Sequence, residues 1–221
     1  MIVVIGQPLY RAVDGEVAAA DGLPARIALA VAANGRSVQL IGKAGEDPEG
    51  DAVVLALAAG GVGHVALLRD AGRPTLRIVV PDDLSIDAAE ADLDEPAAAD
   101  RPADPAAETS LDAADVELAL RYLTEYSVVV LADPAGADVL KVVADASGWV
   151  GARLILVVPP GQPIPEDLPA DVIVFEAPDG DPDGAFASFV GTFAAALDEG
   201  DDPADAFRSS IEADGWAASP D

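Results

Sequence analysis

The chain has 221 residues, 51% of them hydrophobic, with a mean hydropathy of +0.30, which suits one domain with a good core and excludes a wholly disordered protein. Forty acidic residues against twelve basic ones give a net charge of −28 and a pI near 4.1, so the surrounding field repels nucleic acid and anionic membrane. The absence of cysteine excludes disulfides, thiolate metal sites and thiol nucleophiles. Lysine occurs only at Lys43 and Lys141, with arginine far more frequent, so the acidity reads as a salt-adapted or GC-rich composition rather than a binding patch.

The start, MIVVIG, is a β-branched run without a basic n-region or cleavage site. It reads as a buried parallel strand whose C-terminal end opens towards a ligand crevice, not as a signal peptide. No apolar run reaches membrane-spanning length, and a cytoplasmic protein is expected. After this strand comes Arg11, readable either as a partner for an anionic ligand or as a solvated arginine at a strand edge. ADGLPARIALAVAANG follows, a helix with Ile27 and Val31 on its apolar face and Asn34-Gly35 as its stop. SVQLIGKAGEDPEGDAVVLALAAGGV reads as strand, tight turn and helix, with Asp47 near the helix cap; its glycines with two intervening acids make no anion cradle. The single histidine, His64, lies in a turn and takes a structural or surface role.

HVALLRD and PTLRIVVPDD alternate as strands, which would put Arg73, Thr75 and Arg77 on one face. From about 83 to 115 the chain is rich in Ala, Pro, Asp and Glu with few large apolar residues, and it reads as a flexible acidic insert. Strand and helix then alternate with short connections through VELALRYLTEY, SVVVLAD, PAGADVLKVVADASGWVG and ARLILVVPP, implying parallel strands joined by crossovers. A further strand within PADVIVFEAPD ends at two acids, Glu176 and Asp179, which either hold a hydrated Mg²⁺ or simply close a strand. Next, DPDGAFASFVGTFAAAL leads a turn into a helix with Phe186, Phe189, Val190, Phe193 and Leu197 at helical spacing. The start of that helix, with its unpaired N–H groups, is an anion site. Asp202-Pro203 opens the last helix.

This last stretch resembles the D-T-x-G-A-G-D-x-F-x-G signature of ribokinase-like, phosphofructokinase-B type carbohydrate kinases. Asp181, Gly184, Ala185, Phe189 and Gly191 match it. Gly42, Gly45, Asp47 and Gly50 match a second family pattern, and Glu176 and Asp179 stand where a third has the asparagine and glutamate that organise Mg²⁺ and phosphate. The resemblance implies a single ribokinase-like α/β domain over 1–221, a three-layer sandwich with a mostly parallel sheet. It also implies reduced elements: a short 13–20 where the family carries a β-hairpin lid, and almost no chain between Asp179 and Asp181, where the family builds its nucleotide pocket.

In the family, an aspartate takes the proton from the sugar hydroxyl and glycine amides hold the phosphoryl charge; here Ala187 and Phe186 stand at those places. Arg11 stands near the sugar-binding aspartate, Asp21 and Gly22 at a double glycine, and Arg26 at the sugar-binding asparagine. The expectation is therefore a carbohydrate kinase homologue without phosphotransfer, a pseudokinase binding a small molecule or a protein partner. Gly184 and Ala185 would be its remaining anion-site residues, and no lid-mediated dimer is expected. The alternative is an active sugar or nucleoside kinase with Asp181, Asp183 or Glu176 as base, and only then would ATP and Mg²⁺ be required. A half-enzyme pairing with another chain is a third reading.

Overall fold

Four consecutive apolar residues with side chains facing alternately up and down place β1 (Ile2–Ile5) in the middle of a sheet, and the computed structural model of the chain puts it there. The structure describes residues 1–13, 19–80, 109–133, 136–166 and 168–213. On one side of β1 lie β4 (Val38–Gly45) and then β5 (Leu67–Asp70); on the other lie β7 (Val128–Leu131), β8 (Arg153–Val158) and β9 (Ile173–Glu176). All neighbours in this six-stranded sheet run parallel, with Ile2 beside both Val38 and Val128. Strand order changes direction at β1, so a crevice forms beyond the carboxyl ends of β1 and β7.

The alternation of side chains makes two cores. Ile2, Val4, Leu40, Val130, Ile155 and Val157 pack towards α1 (Leu23–Ala33), α2 (Pro48–Ala59) and α5 (Ala185–Glu199). Val3, Ile5, Val129, Leu131 and Leu156 pack towards α3 (Ala113–Tyr122) and α4 (Ala137–Val150). The result is the expected three-layer α/β sandwich, in which each fully buried Ile, Val or Phe contributes about 1.5–3 kcal/mol. Helix α6 (Pro203–Ala213) packs on α5. No helix among the described residues is long and apolar enough to cross a membrane.

A second sheet of three strands stands beside the crevice. It pairs β2 (Leu9–Val13) antiparallel with β3 (Ala19–Asp21) and parallel with β6 (Arg77–Val80). Of residues 13–20, read as an abbreviated lid, Val13 ends β2 and Ala19 and Ala20 begin β3, while 14–18 lie outside the described residues. Strand β6 begins only at Arg77, so Arg73, Thr75 and Arg77 do not share a face. Thr75 is buried, donating from its N–H at 2.7 Å and its hydroxyl at 2.6 Å to Asp47, whereas Arg73 and Arg77 are exposed. Asp47 also takes the Gly50 N–H at 2.7 Å and so caps α2. Within the stretch read as an acidic insert, Thr109 is buried and Asp112 and Asp115 form a capping box that starts α3; residues 83–108 lie outside the described residues.

Candidate functional site

Asp21 ends β3 as a buried carboxylate at the wall of the crevice. Its Oδ1 accepts the Gly22 N–H at 2.7 Å and the Arg26 Nε–H at 2.5 Å, and its Oδ2 accepts from Arg26 Nη2 at 3.2 Å. Burial pushes the Asp21 pKa up, but the Arg26 fork and the Gly22 N–H outweigh it and hold the group below its ordinary value. Arg26 is raised in turn, chiefly by its hydrogen bond to Asp21. Its remaining Nη1 donates to the carbonyl of Asp181, so one guanidinium fastens the small sheet to the loop before α5. Arg11, on β2, approaches the same carboxylate from the other side, with Nε 3.7 Å from Asp21 Oδ2.

At the start of α5, where the sequence leads one to expect an anion, two N–H groups are taken by a carboxylate of the chain itself. Gly184 takes a left-handed conformation (φ 71°) that carries the turn into the helix without a side-chain cap. Asp181 reaches forward to fill that role: its Oδ1 accepts the Phe186 N–H and its Oδ2 the Ala187 N–H, each at 3.0 Å. Phe186 and Ala187 are both buried, and Asp183 is exposed. Asp21, Arg26, Ile78, Asp181 and Phe186 line a cleft of about 440 Å³ between the small sheet and α5. Behind it, a second cleft of about 580 Å³ is walled by Phe175, Phe189, Phe207 and Ile211. Phe175 meets Phe189 edge-on with ring centres 5.3 Å apart.

Glu176 accepts the Gly161 N–H at 2.8 Å, Asp179 is exposed, and among the described residues no three His, Cys, Asp or Glu side chains are grouped to hold a metal ion. These residues fit a Mg²⁺–nucleotide poorly, because the first amides of α5 already serve a carboxylate and Glu176 braces a loop. Strand β9, at the sheet edge, is the last strand before α5.

One carboxyl group escaped the sequence reading. Asp133 follows β7 at the point where strand order reverses, and its Oδ2 accepts the Gln7 N–H at 3.1 Å across the crevice. Burial pushes its pKa up, and the Gln7 N–H offsets only part of that. Gln7 itself is held by donating from Nε2 to the Lys43 carbonyl and to Thr109 Oγ1, the latter at 2.9 Å. The signal was present in SVVVLAD, an acid immediately beyond a central parallel strand, but only the neighbour relation of β1 and β7 gives it meaning.

No protein-family model and no curated protein sequence matches the chain. Solved structures do. The protein Sa239 superposes with a TM-score of 0.65 at 14% identity, covering 100% of this chain and 94% of that one. A PfkB protein from Polaromonas sp. JS666 gives 0.63 at 14% identity, covering 96% and 94%. The ribokinase of Arabidopsis thaliana, solved with ribose and ATP, gives 0.58 at 17% identity, covering 96% and 90%. With its parallel six-stranded sheet between two helical layers and its small sheet beside the crevice, the chain has the ribokinase-like fold of PfkB carbohydrate kinases.

Proposed function

We propose that this chain is a carbohydrate kinase homologue that binds a small hydroxylated ligand in its crevice without transferring phosphate. The observation that carries the reading is Asp181. Its carboxylate holds the two backbone N–H groups at the start of α5, where a phosphoryl group in flight would need them. Losing one charge-stabilising donor costs about 3 kcal/mol of transition-state stabilisation. Losing a general base costs roughly 100- to 10,000-fold in rate, and Ala187 cannot accept a proton. Asp181, with both oxygens taking N–H groups, is a weak substitute base. Two adjoining clefts, which share Gly22, Leu23 and Ala177, supply what binding needs: Asp133 in one is a hydroxyl acceptor at the strand ends, and the Asp21–Arg26 pair lines the other.

The test is an assay of ADP release with ATP, Mg²⁺ and a panel of sugars and nucleosides, alongside a thermal-shift screen with the same panel. The expected outcome is no ADP above the uncatalysed rate, with a rise in melting temperature for a ligand that fits the folded state. Sustained turnover with any member of the panel overturns the proposal; Asp181→Asn and Asp183→Asn in that preparation would then locate the base.

A further inference from the structure

We propose that the outer face of α3 and α4 docks a second copy of this chain about a two-fold axis that runs along the groove between the two helices. The groove encloses about 690 Å³, with Leu120, Leu123 and Tyr126 on one wall and Val142, Ala146 and Trp149 on the other. It lies in the helical layer across the sheet from α5 and its clefts. Trp149 is 91% and Tyr122 75% exposed, and Leu118 and Val150 are exposed on the same two helices. An apolar patch of this kind rimmed by charge marks an interaction surface. Two aromatic side chains at about 150–250 Å² each supply about 300–500 Å² of the roughly 800 Å² that each partner buries in a standard-size interface.

The charge pattern selects the occupant. A chain of net charge −28 repels its own copies, so a self-association face must be balanced locally. Glu117 pairs with Arg121 at 2.5 Å along α3, and Lys141 with Asp145 at 2.7 Å along α4, which sets two acids against two bases. Asp138 adds an acid only in the first turn of α4, where the helix dipole favours it. The two pairs run in opposite order: α3 reads acid then base, α4 base then acid. Both helices end ahead of neighbouring parallel strands, β7 and β8, so they run side by side in one direction, with 117–126 and 142–150 along the same groove. A two-fold axis along that groove lays each α3 over the α4 of the other copy, again in one direction. Glu117 then meets Lys141 of the other copy and Arg121 meets its Asp145, twice over, while each Trp149 enters the opposite groove. Pairs in the same order would set like charge against like. A strongly acidic or basic partner finds no net charge here to answer its own. Exposed ion pairs of this kind fix register and orientation, and the buried aromatic side chains supply the affinity.

Sedimentation velocity of the full chain from about 1 µM to about 100 µM tests the proposal. The expected result is a species of twice 22.3 kDa whose share grows with concentration. Trp149→Glu changes a side chain that the single copy exposes, so circular dichroism and unfolding temperature of the dilute protein should hold while association weakens about thirtyfold or more. Arg121→Glu and Asp145→Arg each set like charges opposite one another in their own dimers, and both are expected to stay as single chains. An equimolar mixture of the two restores opposite charges and should form a dimer holding one of each. A chain that stays single at the upper concentration, unchanged association in a folded Trp149→Glu, or a mixture no more associated than its components overturns the proposal. If Trp149→Glu does not fold, hydrogen exchange of the unsubstituted chain decides. Exchange that slows with rising concentration within 117–126 and 141–150 supports the interface; slowing confined to other segments, or none, overturns it.

Discussion

Asp198, in the last turn of α5, accepts hydrogen bonds from Ser127, from the Met1 amino group at 2.9 Å and from Arg36 Nε at 2.9 Å. Burial alone would raise its pKa, but these bonds together hold it at about 2. A carboxylate whose folded pKa is depressed adds stability above its unfolded value near 3.8, and that stability is lost as pH falls through the folded value. We expect Asp198→Asn to cost about 1–2 kcal/mol at neutral pH, with the penalty fading between about pH 4 and pH 2. Urea titrations of both proteins across that range check it, and a penalty that persists undiminished at the acid end refutes the assignment. Nothing in the sequence around Asp198 announces this role. Its partners come from the first residue of the chain, from the α1–β4 connection and from the entry to β7, and only packing joins them.

Helices α1 and α5 illustrate the opposite case, elements legible in sequence whose contact was not. The spacing of Ile27 and Val31, and of Phe186, Phe189, Val190 and Phe193, reads directly as two buried faces. Gly191, taken only as a signature position, proves to be where the two helices cross: a Cβ there would come within 2.6 Å of the Ala30 Cβ and 3.1 Å of the Val31 N. Alanine favours a helix over glycine by about 1 kcal/mol, but forcing backbone and packed side chains apart costs about 1–3 kcal/mol. Gly191→Ala is therefore expected to destabilise, lowering the urea midpoint, and an unchanged or raised midpoint would mean that the helices separate freely. The small sheet marks the limit of reading by pattern. Thr75 and Arg77 alternate like strand residues, yet Thr75 is drawn inward to Asp47 and the strand starts two residues later.

At the scale of the whole molecule, the net charge of −28 makes the folded state repel itself more than the extended chain does. Raising ionic strength from about 0.01 M to about 0.1 M shortens the screening length from about 30 Å to about 10 Å. Unfolding temperature should climb over that range for the ligand-free chain; a flat or falling response would show that ion pairs such as Arg36–Asp198 outweigh the repulsion. The sequence by itself determined the layered α/β architecture, because periodicity of two and of 3.6 is a local property that survives without knowledge of neighbours. It also carries the motif resemblance that would put Ala187 and Phe186 at the family's catalytic base and second anion-hole glycine. Only the tertiary structure decided that Asp181 fills the helix start, that Arg26 takes Asp21 from Arg11, and that Asp133 stands beside Gln7. Except for Asp181, which reaches five and six residues forward, those pairings join different elements, and hydrogen bonds compete for partners in space, where sequence separation carries no weight.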